Sequence, residues 1–375
     1  MKDIYKNTFS FAKEKIECNS LDADLNAQFP EKSFNALKEN EYMGLLVPIE
    51  YGGKGLTILE HTQTILALAQ SCATTALCYM MHNVATMCIV SHGSKELKDK
   101  LLPKIAKGEI TLALAYSETG TGTHFYQPEI TFSQKDEEFV LNGKKSFVTS
   151  AGFVDYYLVL SQTINKDGLN NWLVSKNAQG LEFHNQAWDG LGMRGNASMP
   201  MSLNNVVVNE SDRVGAEGSG AEQVFTVVAP FFVIGLAAVY SGVALNACEI
   251  IKEHSMGRKY TNSGSLSEIP TVQNDLAAIY IKAQSAKHFT LAGANAGLNM
   301  QEDALAQIIS ARINASIAAI EVCTLAMKIG GGTAYAKRLP IERLLRDSFA
   351  SQVMAPGIDV LSIWLGKALT GQQIP

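Results

Sequence analysis

The feature that most constrains this fold is a change of hydrophobic period along the chain. From residue 3 to about 110, apolar residues recur at helical spacing, with turns marked by Gly and Pro. From Thr111 to Val214 the period shortens to that of strands. Short strand-like runs occupy Thr111 to Ala115, Phe139 to Leu141, Phe147 to Thr149, Tyr156 to Leu160, Asn171 to Val174 and Met201 to Val208. From Gly220 onward helical spacing returns in segments near 223–254, 271–298, 302–329 and 340–369. Four long helices with short connections predict an antiparallel bundle, and many short strands predict a small antiparallel barrel or sandwich. The expected organisation is mostly α, α+β: helical residues 1–110, a β domain at 111–218 and a four-helix bundle at 219–375.

Finer expectations follow from the turn residues. Phe29-Pro30 starts a helix, and Pro48 with Gly52, Gly53 and Gly55 forces a compact loop. One long helical stretch is expected from Ile58 to Ser91, and a short helix from Gly93 to Pro103. Asn142-Gly143 and Asp167-Gly168 read as turns, the first closing a hairpin.

Net charge is −5, with 18% charged residues, which supplies no basic surface suited to nucleic acid. The six cysteines (Cys18, Cys72, Cys78, Cys88, Cys248, Cys323) contain no C-x-x-C pair and read as buried reduced thiols in a cytoplasmic protein. The N-terminal MKDIYKNTFSFAKEK is charged and amphipathic without a signal-type apolar core, so no export is expected. Val224 to Leu245 is long and apolar enough to suggest a membrane span. Its Pro230, Gly235, Gly242, Tyr240 and Ser241, and the lack of a close basic flank, favour a helix buried on nearly all sides. His82 and His92 lack metal-ligand spacing and read as structural; no metal site is expected.

Two motifs carry chemistry. Tyr116-Ser117-Glu118-Thr119-Gly120-Thr121-Gly122-Thr123 is a small-residue loop that can bring backbone N–H groups close to a flat polar ligand. In Leu141-Asn142-Gly143-Lys144-Lys145-Ser146-Phe147-Val148-Thr149-Ser150, Phe147 and Thr149 are spaced to share a strand face. Phe147 can then lie against a ring system while Thr149 hydrogen-bonds its edge.

Together these segments resemble the flavin-binding middle of the acyl-CoA dehydrogenase family, where the patterns read T-E-P-x-A-G-S-D and N-G-x-K-x-W-I-T-N-G. The resemblance covers nearly the whole chain. Val47-Pro48-Ile49-Glu50-Tyr51-Gly52-Gly53-Lys54-Gly55 resembles the family's first-domain loop, and Leu102-Pro103-Lys104-Ile105-Ala106-Lys107-Gly108-Glu109 its L-P-x-L-A-x-G-E run. Leu191-Gly192-Met193-Arg194-Gly195 and Pro340-Ile341-Glu342-Arg343-Leu344-Leu345-Arg346-Asp347 resemble its L-G-M-R-G and P-x-E-R-x-x-R-D runs. The resemblance implies helices, then a β domain, then a four-helix bundle. It further implies FAD as cofactor, an acyl-CoA or other acyl thioester as substrate, and a homodimer or homotetramer.

By the same resemblance, Tyr116, Ser117, Gly122 and Thr123 would contact the flavin or the thioester. Phe147 stands where the family usually has Trp, and Thr149 matches the residue beside the reactive flavin nitrogen. Arg258 matches an arginine that meets the FAD pyrophosphate across a subunit contact, a task suited to a planar guanidinium. Lys328-Ile329-Gly330-Gly331-Gly332-Thr333-Ala334-Tyr335 resembles Q-x-x-G-G-x-G-Y, whose glycines approach the cofactor of a neighbouring subunit. Lys328 replaces the Gln, Thr261-Asn262 replaces the F-G after the arginine, and Pro270 replaces the next Gln.

The departure that matters most concerns the base that removes the α-proton, a contribution of about 10²–10⁴ in rate. Most members carry a Glu where this chain has Ala355. A subset places it on the first long bundle helix, where this chain has Phe231-Phe232. Asp359, four residues beyond Ala355, and His124 in the small-residue loop are the ionisable candidates nearest in sequence. Dehydrogenation with a base from elsewhere is therefore one expectation. A reduced-flavin monooxygenase on the same fold, which needs no such base, and a catalytically silent flavoprotein are the alternatives.

Overall fold

The computed structural model describes residues 3–135, 138–184, 188–261 and 264–374; Asn262 lies outside them. The N-terminal region holds α1 Ile4–Phe11, α2 Ser20–Leu25, α3 Glu31–Glu39, α4 Ile58–Ala69, α5 Ala73–His92 and α6 Lys95–Ala106. Thr57 and Glu60 form a capping box at the start of α4. The single stretch expected over 58–91 is two helices. The chain turns at Gln70-Ser71-Cys72, where the Cys72 thiol accepts from the Thr75 N–H and caps α5. No Gly or Pro marks that break.

The middle strands are β1 Leu112–Ala115, β2 Thr131–Lys135, β3 Glu138–Val148, β4 Tyr156–Gln162, β5 Leu169–Ser175, β6 Leu181–Phe183, β7 Met199–Val208 and β8 Arg213–Val214. They form two four-stranded sheets, ordered β1-β4-β5-β8 and β2-β3-β7-β6. All their pairings are antiparallel except β1 with β4, and among the described residues the ladders do not close a ring. Asp167-Gly168 does turn between β4 and β5, whereas Asn142-Gly143 lies inside one continuous strand. There the β3–β7 register shifts between Leu141 and Gly143 by one extra residue on β7, so Asn142 faces a bulge at Asn204-Asn205, takes the Asn205 N–H on its side chain at 2.7 Å, and forms no hairpin.

The C-terminal region begins with α7 Gly220–Gln223, a π-helical stretch Val224–Val228 and α8 Ala229–Gly257. A small hairpin, β9 Lys259–Tyr260 and β10 Gly264–Ser265, leads to α9 Pro270–Leu298 and α10 Ala304–Tyr335. The expected fourth helix is two, α11 Ile341–Val353 and α12 Ile358–Leu369, parted by Met354-Ala355-Pro356-Gly357. Pro356 and Gly357 account for that break.

Helix α8 packs against α4, α9 and α10. The run Gly220–Gly257 is one of three in the described residues apolar and long enough to cross a membrane; 78% of its most apolar window is buried inside the protein. Packing against neighbouring helices therefore accounts for its composition. Four cysteines are fully buried, but Cys18 is exposed and Cys248 half-buried, which corrects the expectation for those two. His82 is structural: it is buried, takes the Leu112 N–H on Nδ1 at 3.2 Å and donates from Nε2 to the Met43 carbonyl at 3.0 Å. Burial lowers its pKa to about 4, so the ring is neutral.

Candidate functional site

The strand β1 delivers the chain into an irregular loop, residues 116–130, that ends where β2 begins. Its first residues lie beside β3, where the Ser146 N–H donates to the Ser117 carbonyl at 2.8 Å. Tyr116 and Ser117 from this loop, with Phe147 from β3, line a cavity of about 400 Å³ counted with its open mouth. Met81 of α5, Leu114 of β1, Phe125 of the same loop and Val228 complete the wall with Phe232 and Ala355. Both positions at which a glutamate was sought thus face the cavity that holds the two sequence motifs.

Phe147 is 67% exposed, unusual for a ring on a β-strand at a cavity wall. Thr149, by contrast, is 3% exposed and its hydroxyl hydrogen-bonds Ser198 at 3.0 Å. The two therefore differ in exposure; the β3–β7 register shifts between Lys145 and Val148, and the strand ends before Thr149. Gly122 adopts φ +54 with open space where a side chain would stand, so backbone is presented at this point of the loop. Thr123 accepts the Gly357 N–H on its hydroxyl at 3.2 Å, tying the loop to the segment that carries Ala355.

The electrostatics of the cavity are plain. Among the described residues, none that line it is a carboxylate, an imidazole or an ammonium. The Tyr116 hydroxyl is committed to the Asn171 side chain at 2.6 Å, and burial holds its pKa well above the usual value. Asn171 in turn receives no freedom to move: its amide donates to Gln223 at 2.8 Å. Asp359 is exposed in the first turn of α12, and His124 is exposed with Nδ1 2.9 Å from the Tyr126 hydroxyl. Neither candidate base lines the cavity.

Sequence reasoning missed one charged pair. Lys145 and Glu118 are fully buried and joined by a short ion pair beneath the loop. Lys145 also donates to the Leu160 carbonyl at 2.8 Å, and Glu118 accepts the Glu129 N–H at 2.6 Å. Burial lowers the lysine pKa to about 8 against the attraction of the carboxylate, which favours its charged form.

The second group of predicted residues lies apart from the cavity wall. Arg258 ends α8, donates to the Thr333 hydroxyl at 3.3 Å and lies 5.3 Å over the Tyr260 ring. Gly331 breaks the helical path of α10 with φ 52 and ψ −139, and no atom lies near where a side chain on Gly331 or Gly332 would begin. The structure thus joins Arg258 to the glycine segment. Lys328 is exposed and paired with Asp275 at 2.8 Å.

A third network joins α11 to α2 and to the segment before β7. Arg346 of α11 makes a paired contact with Asp24 of α2, at 2.8 and 2.6 Å, and also binds Glu342 and the Leu191 carbonyl. Asp347 is buried and accepts the Met193 N–H at 2.5 Å. Burial raises the Asp347 pKa to about 6.

Comparison with known proteins agrees with this architecture. The acyl-CoA dehydrogenase N-terminal, middle and C-terminal domain profiles match residues 2–109, 113–206 and 233–359. An acyl-CoA dehydrogenase of Bacillus subtilis (strain 168) is 27% identical over 96% of this chain and 95% of its own. A 3-(aryl)acrylate reductase of Clostridium sporogenes is 29% identical over 92% of this chain and 91% of its own. The structure of butyryl-CoA dehydrogenase from Megasphaera elsdenii superposes with TM-score 0.92, covering 99% of both chains at 22% identity, a likeness of fold. With all three domains matched in order, the chain belongs to the acyl-CoA dehydrogenase family of flavin oxidoreductases.

Proposed function

We propose that this protein binds FAD and oxidises an acyl thioester, removing hydrogen across the α and β carbons. The observation that carries the reading is the cavity where Tyr116, Ser117 and Phe147 meet Phe232 and Ala355. The residues suit a flavin. Phe147 offers an open ring face, Gly122 presents backbone, and Ser117, Thr123 and Thr149 supply hydroxyls within or beside the wall. Arg258, with Gly331, Gly332 and Lys328 nearby in sequence or space, suits the phosphates; the Lys328 side chain is exposed, although its partner Asp275 is largely covered. Bound flavin supplies a hydride acceptor. The chain's own residues contribute an apolar wall from Met81, Leu114, Phe125 and Val228 that keeps water from the acyl group.

Among the described residues the wall contributes no carboxylate or imidazole to act as a base. Acyl thioesters with an ordinary α-proton should therefore react slowly, and those with a more acidic one faster. The purified protein should show oxidised-flavin absorbance or acquire it with FAD. Anaerobic titration with a panel of acyl-CoAs should bleach that absorbance; a protein that takes up neither FAD nor FMN by calorimetry refutes the reading.

The base-free wall also favours a second reading, the saturation of an α,β-unsaturated acyl substrate. Hydride delivered to the β carbon would leave an enolate, and a proton entering through the open mouth of the cavity would complete the reduction, so no positioned carboxylate is needed. The relative from Clostridium sporogenes is named for such a reduction. Protein reduced with dithionite would recover its oxidised spectrum on addition of a 3-arylacryloyl thioester, and would not do so with the saturated analogue.

We also propose self-association, as a homodimer or homotetramer. Tyr280, Ile281, Ile317, Val353 and Ile363 leave apolar surface on the bundle exposed. Sedimentation at micromolar concentration should show at least a dimer. The free thiols suit a cytoplasmic setting.

A further inference from the structure

The ion pair beneath the 116–130 loop has a form that stability alone does not explain. Replacing a buried pair by apolar side chains of similar volume is often neutral or stabilising, because removing two charges from water offsets their attraction. Here the remaining contacts of the pair end on backbone, at Tyr116 of the cavity wall, at Leu160 of β4 and at Glu129 near the far end of the loop. The Lys145 ammonium sits 3.5 Å from the Tyr116 carbonyl and 2.8 Å from the Leu160 carbonyl, so it joins the start of the loop to β4 as well as to its own strand. Glu118 takes the Glu129 N–H at 2.6 Å, so the carboxylate fastens the far end of the loop to the near end. Phe125, which lines the cavity, lies between those two fastened points. Phe147 follows Lys145 by two residues on the same strand.

The loop itself holds no regular secondary structure and is rich in Gly and Thr. Left unfastened, it would have to be ordered by whatever binds against it, and that ordering would be subtracted from affinity. We propose that Glu118 and Lys145 are positioning residues for the flavin: they fix both ends of the 116–130 loop in receiving shape before the cofactor arrives. The inference rests on the flavin reading given above. Neither residue lines the cavity, so they act through Tyr116, Ser117 and Phe125.

The test is the double variant Glu118→Gln/Lys145→Met, which removes both charges and leaves no unpaired ion inside. Calorimetry should give an FAD dissociation constant raised by about tenfold or more, the scale of one lost loop-ordering contribution. The visible circular dichroism of the bound flavin should change with it, which a mere loss of stability would not cause. A double variant that binds FAD with wild-type affinity and an unchanged flavin spectrum overturns the inference while leaving the flavin reading intact. Should the variant not fold, amide hydrogen exchange on the wild-type protein decides. Protection over 116–130 in the FAD-free protein close to that in the FAD-bound protein supports the inference. Exchange as fast as an unstructured loop until FAD is added overturns it. Wild-type protein that takes up no flavin overturns both readings together.

Discussion

Ala355→Glu is the substitution that most directly tests how this cavity works. Ala355 is half-buried and faces the space bounded by Phe147, Phe232 and Tyr116. Its segment is held by the bond from the Gly357 N–H to Thr123 at 3.2 Å, so a new side chain enters a fixed position. The wall offers no cation, and Met81, Leu114, Phe125 and Phe232 are apolar, so desolvation raises the new carboxyl above its ordinary value of about 4.3. A rise of about two units would bring it near 6, where a carboxylate is both ionised at neutral pH and basic enough to take a proton. Flavin bleaching by an acyl-CoA should then accelerate by about 10²–10⁴.

The same displacement sets a stability signature. A carboxyl whose folded value exceeds its unfolded value binds protons more tightly in the folded state, so stability falls as pH rises through the interval between the two. Two units correspond to about 2.7 kcal/mol lost above the folded value and nothing lost below the unfolded one. Stopped-flow bleaching between pH 5 and 8 (rates) and thermal unfolding over the same range (stability) read the two effects separately. If the variant binds FAD and acyl-CoA as the wild type does, yet bleaches no faster at any pH, the α carbon does not lie in this cavity and the argument fails.

Phe147→Ala should weaken FAD binding by about two- to twelvefold, because an aromatic contact contributes roughly 0.5–1.5 kcal/mol beyond its area; calorimetry that finds no change would remove Phe147 from the site. Asp347→Asn keeps an acceptor for the Met193 N–H but cannot ionise. Since burial raises the Asp347 pKa to about 6 from 3.8, the wild type loses stability relative to the variant as pH rises from 4 to 7, by on the order of 3 kcal/mol; parallel stability curves would contradict this. Asp359→Asn and His124→Gln should leave the rate of flavin bleaching unchanged, since neither side chain lines the cavity; a loss of about 10² in either would identify a base that reaches the substrate by a movement of the loop or of α12.

How much of this was legible in the sequence depends on whether a residue announces its surroundings through its neighbours. The switch of period at Thr111 and again at Gly220 located the strands and the bundle, because side-chain spacing is a direct image of backbone geometry. Asn142-Gly143 misled for a physical reason. An Asn-Gly pair turns the chain only where no partner holds it extended; here β3 runs on along β7, and the Asn142 side chain instead takes the Asn205 N–H of the β7 bulge. The break at Gln70-Ser71-Cys72 carried no Gly or Pro, whereas the break before α12 did carry Pro356 and Gly357 and was available to be read. In the site, Lys144-Lys145 looks like a solvated charge pair; strand alternation puts Lys144 outside and Lys145 inside, which was the signal for the buried ion pair. Met81, Leu114, Phe125 and Val228 had no such signal, for an apolar residue that lines a cavity reads like one that fills a core.

The positions Phe232 and Ala355 illustrate what the fold adds to a motif. They are far apart in sequence, one on α8 and one between α11 and α12, yet both open onto the same space. A carboxylate placed on either element would therefore reach into one reaction volume, which explains in geometric terms how a base can change its seat while the rest of the site stays in place. It also sharpens the meaning of two apolar residues there. One empty seat could be covered by the other, but with Phe232 and Ala355 together no carboxylate, imidazole or ammonium among the described residues lines the wall. On the function proposed above, the substrate itself would then ease that step, through a more acidic α-proton or by entering already unsaturated.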